Sequence, residues 1–489
     1  MYYAYITRIK NLRKHPNADR LLIGECFTNS IIVSNGYVDN QLGVYFPSDG
    51  QLSVEFADAN NLVRKKDENG NNIGGYMDPD KRNVTAIKLR GEKSDGLFLP
   101  LKSLESFGDI TNLKEGDRID VFNGHEICRK YVPRSSVRTG RYSEGNKTRH
   151  KNKKPNTAPL FTEHADTEQL AYNLGAFQYG DIVEITLKMH GTSQRTAYLP
   201  TLVGYKDSYG CKLKNNIRQL VHKILRKKNP FEYIHTGEPI YDWGYVTGTR
   251  RVVLDDFDGG FYGSNEFREQ HAKFFEGKLN KGETVYYEVV GFTHTGAPIM
   301  SSCDNNKTKD KDFIKQYGQT TVFSYGCSPT GTEKHFYIDG EHNQVAMEEI
   351  VPQSDIYVYR MTFKNEDGHE VDYTPDYMRY RCEQMGVKTV PVLDSFMIPS
   401  TRKKCTFKNR RLATPGEYVM ERAEALCDGP DPIGKNHVRE GVVCRVVNRP
   451  KFAAWKHKNF SFKVLEGIAK VDAEAPDMEE AQDVVNEET

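Results

Sequence analysis

Residues 181–193 read DIVEITLKMHGTS, and this stretch decides how the rest of the chain is interpreted. The run DIVEITL is rich in β-branched and aliphatic residues, which predicts a strand over 181–187. Lys188 follows that strand directly, and Gly191 lets the backbone approach a ligand closely in the turn behind it. A lysine in this setting is suited to contact phosphate. By itself the signal is weak, because a surface lysine before a turn is the commoner case.

Five further segments follow Lys188 in a fixed order, each with charged or aromatic residues beside β-rich sequence. They are GTRR (248–251), YEVVG (287–291), YVYR (357–360), REGVV (439–443) and WKHK (455–458). Five such segments in this order are hard to obtain by chance. The series therefore favours a functional role for Lys188.

Together these segments resemble the motifs of the covalent nucleotidyltransferase superfamily, which comprises DNA ligases, RNA ligases and mRNA capping enzymes. The resemblance spans residues 181–463. His190, at the third place of the first motif, resembles the RNA ligases, whereas DNA ligases and capping enzymes usually have Asp there. The closest resemblance is to the nick-sealing RNA ligases with an amino-terminal OB module. It implies an ATP-dependent RNA ligase that forms a lysyl-AMP intermediate on Lys188 and joins a 5′-phosphate to a 3′-hydroxyl.

The chemistry of such an intermediate explains why cations stand near the nucleophile. A lysine amine attacks phosphorus only when it is neutral, and its ordinary pKa is about 10.4. Exclusion of water and neighbouring positive charge favour the neutral amine. Lys456, Lys458 and a divalent cation would supply that charge, and they would also stabilise the negative charge that develops on the phosphates.

The resemblance also implies roles for the other candidate residues. Glu288 would hold the ribose, Glu440 would help to bind Mg²⁺ or Mn²⁺, and both are candidate metal ligands. The ring of Tyr359 would stack on adenine, although a tyrosine of the core would show the same sequence pattern. The remaining candidates are Gly191 for nucleotide binding, Arg250 for a phosphate or the ribose, and His190 for orienting substrate or metal. Two positions depart from the family pattern: Tyr287 stands where Gly is usual, and Arg360 where Asp is usual.

The first 125 residues have the pattern of short strands separated by turns. Strands are predicted over 3–9, 30–33 and 42–46, the latter two before Asn35-Gly36 and Pro47-Ser48-Asp49-Gly50. The segments HPNADRLLIGEC (15–26) and KLRGEKSDGLFL (88–99) resemble those of OB-fold tRNA-binding modules and of the OB modules of some RNA ligases. OB barrels commonly bind oligonucleotides on one face. A β-barrel without such a function remains the alternative.

The predicted fold class is α+β, with an OB barrel followed by a nucleotidyltransferase domain of antiparallel sheets flanked by helices. The expected divisions are an OB module (1–125), a basic linker (126–160), an adenylyltransferase domain (161–470) and an acidic disordered tail (471–489). Strands are predicted over 284–292, 357–363 and 441–448. A helix is predicted over 211–228, with its aliphatic residues on one face, and another from Thr414 to near Gly429.

Bulk properties restrict the class of protein only weakly. The formal net charge of +1 gives no general attraction to polyanions, so a nucleic-acid site must come from local clusters such as the linker. Nine cysteines without a C-x-x-C pair argue against a disulfide framework and a zinc knuckle, and favour a reducing, intracellular compartment. Without a long apolar run, no membrane partner is expected, and no obligate protein partner is evident.

The expected substrate is RNA, or a nicked duplex whose 3′-hydroxyl strand is RNA. The alternatives are a DNA ligase or another nucleotidyltransferase, and a non-catalytic RNA-binding protein that keeps the OB barrel. The residues Lys188, Glu288, Glu440, Lys456 and Lys458 are all present, which argues against the non-catalytic alternative.

Overall fold

The structure is a computed structural model and describes residues 2–66, 68, 72–132, 157–164, 166–225, 231, 233–254, 257, 265–338, 344–399 and 413–471. Most of the predicted basic linker and almost all of the acidic tail lie outside these residues. Within the described ranges, no helix has the length and apolar character needed to cross a membrane.

The N-terminal part consists mainly of short strands. Their bounds are β1 (Ala4–Arg8), β2 (Lys10–Lys14), β3 (Leu21–Cys26), β4 (Asn29–Ser34), β5 (Leu42–Phe46), β6 (Gly50–Leu52), β7 (Arg64–Lys66), β8 (Asn72–Gly74), β9 (Asn83–Val84), β10 (Ala86–Leu89), β11 (Glu92–Asp95), β12 (Leu97–Pro100), β13 (Arg118–Ile119), β14 (Val121–Phe122), β15 (His125–Glu126) and β16 (Cys128–Lys130). The strands predicted around 3–9, 30–33 and 42–46 are confirmed as β1, β4 and β5.

These strands form separate small sheets, with orders β12-β5-β1-β13, β2-β3-β4 and β16-β6-β9 among the larger ones. Buried apolar residues of several strands, including Ile6, Val44 and Phe46, pack together in a common hydrophobic core. Among the described residues the sheets do not join into a closed barrel, so the OB barrel stays a prediction.

The larger C-terminal part combines strands with helices. Its strands are β17 (Glu168–Gln169), β18 (Ile182–Lys188), β19 (Thr192–Tyr205), β20 (Pro239–Gly248), β21 (Glu283–Gly291), β22 (Cys303–Asp304), β23 (Thr320–Thr321), β24 (Thr332–Ile338), β25 (Gln344–Ile350), β26 (Ser354–Lys364), β27 (Glu370–Asp372), β28 (Lys388–Thr389), β29 (Val392–Met397), β30 (Gly441–Val446) and β31 (Ala454–Lys458). The α-helices of the described chain are α1 (Val54–Ala59), α2 (Tyr209–Ile224), α3 (Glu266–Phe274), α4 (Lys311–Tyr317), α5 (Pro375–Met385), α6 (Pro415–Cys427) and α7 (Phe460–Val471).

Two sheets position the candidate site. The first has the order β17-β31-β30-β18-β29, and the second has the order β20-β19-β21-β26-β27, with β28 beside β26. Most strand pairs are antiparallel, so the predicted α+β class is confirmed. The chain passes from the first sheet to the second between Lys188 and Thr192, which places the quoted turn at the crossover.

Local sequence explains the helix that precedes β30. Thr414 accepts a hydrogen bond from the Glu417 backbone N–H, and the Glu417 carboxylate accepts one from the Thr414 N–H, which satisfies two N–H groups at the start of α6. These two bonds form a capping box, and the helix predicted from Thr414 is confirmed as α6. Helix α2 begins two residues before its predicted start, and its aliphatic stripe, exemplified by Leu220 and Ile224, is exposed among the described residues.

Candidate active site

Lys188 is the last residue of β18, an interior strand between β30 and β29 in the first sheet. The antiparallel partner β30 places Gly441 opposite Lys188. Glu440, just before that glycine, therefore stands beside the lysine, and its Oε1 lies 2.7 Å from Lys188 Nζ. Glu440 is only 2% exposed, and a buried carboxylate requires a charged or hydrogen-bonding partner. The register of two strands thus builds the contact that defines this site.

Strand β31 adds two further lysines to the same side of the sheet. Lys458 lies opposite Gly441, and its Nζ is 3.6 Å from Glu440 Oε1 and 2.8 Å from Glu466 Oε2. Lys456 is two residues away and shares that face, because side chains alternate along a strand. Burial, together with the ammonium groups of Lys458 and Lys188, lowers the pKa of Lys456 to about 8. The first sheet therefore presents Lys188 and Lys458 beside the Glu440 carboxylate, with Lys456 on the same face of β31 as Lys458.

Gly191 marks the closest approach between the turn and the second sheet. Its N–H donates to Glu288 Oε1 at 3.1 Å. A Cβ at this position would lie 2.4 Å from the carbonyl oxygen of Val289 and 2.8 Å from Glu288 Cγ. Only glycine therefore permits this packing, which fixes the turn against β21.

We expect Gly191→Ala to lower the free energy of unfolding by about 1–3 kcal/mol, the usual range for inserting a methyl group into a packed site. Equilibrium denaturation would measure the loss. Gly175→Ala is the matched control, because a Cβ there meets no atom within 4 Å. Equal stability of both variants would contradict the close packing at Gly191.

His190 lies between the carboxylate and an aromatic wall. Its Nδ1 is 3.8 Å from Glu440 Oε2, and its ring stands edge to face against Phe323 and Phe462 at 4.7 and 4.8 Å between ring centroids. The His190 backbone N–H donates to Tyr325 Oη at 2.7 Å. The imidazole is thus held in place from several sides, which suits the predicted orienting role.

The second sheet carries two candidates for nucleotide binding, Tyr359 for stacking on adenine and Glu288 for the ribose. Tyr359 on β26 shares a hydrogen bond of 2.9 Å with Ser193 Oγ, and its ring is 5.6 Å from that of His164. Burial, aided by the charges of Arg360 and Arg250, lowers the pKa of His164 to about 3. The imidazole of His164 is therefore neutral near pH 7.

Arg250 follows the end of β20 and faces the same space. Its Nη1 donates to Asp166 Oδ1 at 2.6 Å, whereas Arg251 reaches the other oxygen of Asp166 at 3.7 Å. Arg250 lines the cavity described next, and Arg251 does not. Of these two arginines, Arg250 is therefore the one that faces the cavity, and its role stays a prediction.

A cavity of about 620 Å³ joins these groups. Its wall includes every candidate site residue predicted from the sequence, namely Lys188, His190, Gly191, Arg250, Glu288, Tyr359, Glu440, Lys456 and Lys458. These residues come from both sheets and are spread over 271 positions of the chain, from 188 to 458. The fold thus brings together the residues predicted for one site, while their individual roles stay predictions.

The cavity wall also contains residues that sequence reasoning missed. His164 and Asp166 come from the segment before β17, and Tyr5 and Arg118 come from the N-terminal part. None stands in a recognisable motif, and only their long-range packing places them here. Lys130, which belongs to the predicted basic linker (126–160), also lines the cavity.

The two departures from the family pattern lie off the cavity wall. Tyr287 is fully buried and shares a hydrogen bond of 2.9 Å with Thr196 Oγ1. Arg360 is buried and donates to Asp372 at 2.6 Å. The hydroxyl of Tyr287 is paired away from the cavity, whereas Arg360 also lies 3.3 Å from His164 Nδ1 and therefore contacts a residue of the cavity wall.

Comparisons with known proteins bear on the fold. No protein-family model matches the chain, and no curated protein matches it. Solved structures of Naegleria gruberi RNA ligase are similar. One, with pyrophosphate, has a TM-score of 0.51 at 16% identity, over 94% of this chain and 97% of that chain.

Two point mutants of the same Naegleria gruberi ligase match with equal coverage, 94% of this chain and 97% of that chain, at 16% identity. One, with ATP and Mn, has a TM-score of 0.50; the other, with AMP and Mn, has a TM-score of 0.51. At such identities the likeness establishes a shared fold. The chain therefore shares its fold with these RNA ligase structures.

Proposed function

We propose that this chain is an ATP-dependent RNA ligase that acts through an adenylate bound to Lys188. The observation that carries the proposal is the contact of Lys188 Nζ with Glu440 Oε1 at 2.7 Å, with Lys458 beside it on the same cavity. The shared fold supports it, because the similar structures are RNA ligases with ATP, AMP or pyrophosphate.

In the first step, Lys188 Nζ attacks the α-phosphorus of ATP. A P–N bond forms, the bond to the bridging oxygen of the β-phosphate breaks, and pyrophosphate leaves. The amine loses a proton in this step, and Glu440 Oε1 lies within hydrogen-bond distance to accept it. Lys456 and Lys458 line the same wall, where their charges would stabilise the departing pyrophosphate.

The next two steps reuse the same groups. AMP passes from Lys188 to the 5′-phosphate of one strand, and the 3′-hydroxyl of the other strand then displaces AMP to close the phosphodiester. Holding two strand ends in line is largely a positioning task, and that alone contributes much of the rate.

The residues at Glu440 fit a divalent cation. Glu440 Oε2 is buried and has no hydrogen-bond partner among the described residues. The described chain holds no group of three or more His, Cys, Asp or Glu side chains placed as a metal cage. Mg²⁺ usually takes one or two carboxylates and completes its shell with water and phosphates. When bound, Mg²⁺ or Mn²⁺ would neutralise charge on the reacting phosphates, with Glu440 as ligand and Glu288 as the second candidate.

The nucleotide contacts follow from the second sheet. We assign the adenine stack to Tyr359, the ribose to Glu288 and a phosphate or the ribose to Arg250. All three line the cavity. Stacking of a base on an aromatic ring contributes about 1–3 kcal/mol in nucleic-acid complexes.

The RNA, or nicked duplex with an RNA 3′-hydroxyl strand, would lie across the N-terminal part and the cavity. Arg118 and Lys130 line the cavity and supply positive charge beside it.

We keep the division into an OB module (1–125), a basic linker (126–160), an adenylyltransferase domain (161–470) and an acidic tail (471–489) as part of this proposal. The cysteine pattern supports an intracellular, reducing location.

The decisive experiment incubates the protein with labelled ATP, GTP or NAD and Mg²⁺, then offers a nicked duplex with an RNA 3′-hydroxyl strand. We expect label from ATP alone, followed by sealing. Labelling of the protein by GTP would indicate a capping enzyme. Sealing that is restricted to all-DNA nicks would indicate a DNA ligase. Binding of RNA without label would indicate a non-catalytic protein and refute the proposal.

The pH dependence of lysine adenylylation tests the role of Lys456. The lowered pKa of Lys456, about 8, means that its charge is present below pH 8 and is lost as the pH rises through 8. We expect kcat/KM for ATP, which reports the free enzyme, to fall on the alkaline side near pH 8. Lys456→Arg keeps its charge and should move that limb upward by at least about one pH unit. An unchanged limb would contradict the assignment.

A further inference from the structure

The chain between β21 and β26 packs against the candidate site, but its aromatic residues Phe323 and Tyr325 do not line the cavity. It contains β22, α4 and β23, and then Phe323 and Tyr325, which are 3% and 2% exposed. Both rings belong to the apolar cluster that also includes Leu187 and Met189, on either side of Lys188. This segment therefore packs directly beneath the nucleophile and its turn.

Tyr325 touches both chain segments that carry the reactive pair. Its Oη accepts a hydrogen bond of 2.7 Å from the backbone N–H of His190, two residues after Lys188. Its ring packs edge to face on His437, at 4.7 Å and 71°, three residues before Glu440. The Tyr325 side chain thus contacts both the turn that follows Lys188 and the segment that precedes Glu440.

The surroundings of Tyr325 hold it in one place. Its backbone has φ +50°, a left-handed conformation that is uncommon for a bulky residue and persists only where packing enforces it. His437 is fully buried, and its Nδ1 lies 3.1 Å from the Val438 carbonyl oxygen. Phe323 packs against His437 at 5.2 Å. The hydroxyl is therefore presented by a rigid support.

We infer that Tyr325 is a positioning residue for the adenylylation of Lys188, an inference that rests on the proposed function. Its hydroxyl fixes the His190 backbone, and its ring fixes the segment that leads to Glu440. Together these contacts set how Lys188 Nζ meets Glu440 and the α-phosphate. Misplacement of reacting groups by about 1 Å can reduce a rate by about a hundredfold, so one such hydrogen bond can control the reaction rate.

The test is Tyr325→Phe, which removes one oxygen and keeps the ring. We expect the single-turnover rate of adenylylation at saturating ATP to fall about tenfold, because the part-buried N–H of His190 loses this acceptor. The ATP concentration that gives half the maximal rate should change less than about twofold, since Tyr325 does not line the cavity. Amide hydrogen exchange at His190 should accelerate about tenfold.

Tyr287→Phe is the matched control. Tyr287 belongs to the same apolar cluster, and its hydroxyl also makes a buried hydrogen bond, to Thr196 Oγ1. We expect this variant to keep the adenylylation rate within about twofold and to leave exchange at His190 unchanged.

The outcomes separate this inference from the proposed function. If the wild-type protein never takes up AMP, both the proposed function and the positioning role are refuted. If Tyr325→Phe is adenylylated as fast as the wild type, only the positioning role is overturned. Equal loss of rate in Tyr325→Phe and Tyr287→Phe, or a parallel rise in half-saturating ATP, assigns Tyr325 to general stability and also overturns it.

Discussion

Lys188→Ala is expected to abolish formation of the protein–AMP adduct, with a loss of at least about a thousandfold, because the variant has no amine to form the P–N bond. Intact mass spectrometry after incubation with ATP and Mg²⁺ would show one added AMP on the wild type and none on the variant. The variant should also fail to seal a nicked duplex when ATP is supplied.

A second lysine provides the control for this experiment. Lys388 is exposed and pairs with Asp355 at 2.6 Å. It does not line the cavity. Lys388→Ala should take up AMP as the wild type does. An adduct on Lys188→Ala, located by peptide mapping at another lysine, would show that the nucleophile has been assigned to the wrong residue.

Glu440→Gln should reduce the adenylylation rate by at least about a hundredfold while keeping the shape of the side chain. Glu440 is the buried negative group between Lys188 and Lys458, at 2.7 and 3.6 Å, and its Oε2 is the proposed metal contact. Loss of that charge leaves the two ammonium groups facing each other and weakens cation binding. Single-turnover labelling across a range of Mg²⁺ concentrations measures both effects.

Glu466→Gln is the comparison for Glu440. Glu466 also contacts Lys458, at 2.8 Å, and it also lines the cavity. It lies on α7, however, and is not part of the strand register that brings Glu440 to Lys188. We expect its loss to change the rate less than about fivefold, in the range of a partly exposed ion pair. Equal effects of the two substitutions would mean that Glu440 acts only by holding Lys458.

Much of the candidate site was predictable because its signals are local. Lys188 at a strand end, Gly191 in the turn and the pair Lys456 and Lys458 two residues apart are each visible in a few neighbouring residues. Alternation then places both lysines on one face of β31 without any knowledge of the fold. The capping box at Thr414 was predictable for the same reason, since its hydrogen bonds lie within one turn of helix.

Other features could not be read in this way. Helix α2 shows a regular aliphatic stripe, but periodicity does not reveal whether a partner covers it, and the described chain leaves it exposed. His164 and Asp166 reach the cavity only through packing against distant strands. Tyr325 looks like an ordinary core residue in the sequence, because its hydrogen bond joins positions 135 residues apart.

Local patterns were enough to predict several strands, the order of the motifs and the chemical types of the reacting groups, because periodicity and short motifs depend on near neighbours. Which charges meet depends on the three-dimensional packing of the sheets. The register of β18, β30 and β31 places Glu440 against Lys188 and Lys458, although Glu440 lies far beyond Lys188 in the chain. Strand register is a long-range property set by the packing of whole sheets, and no local pattern contains it.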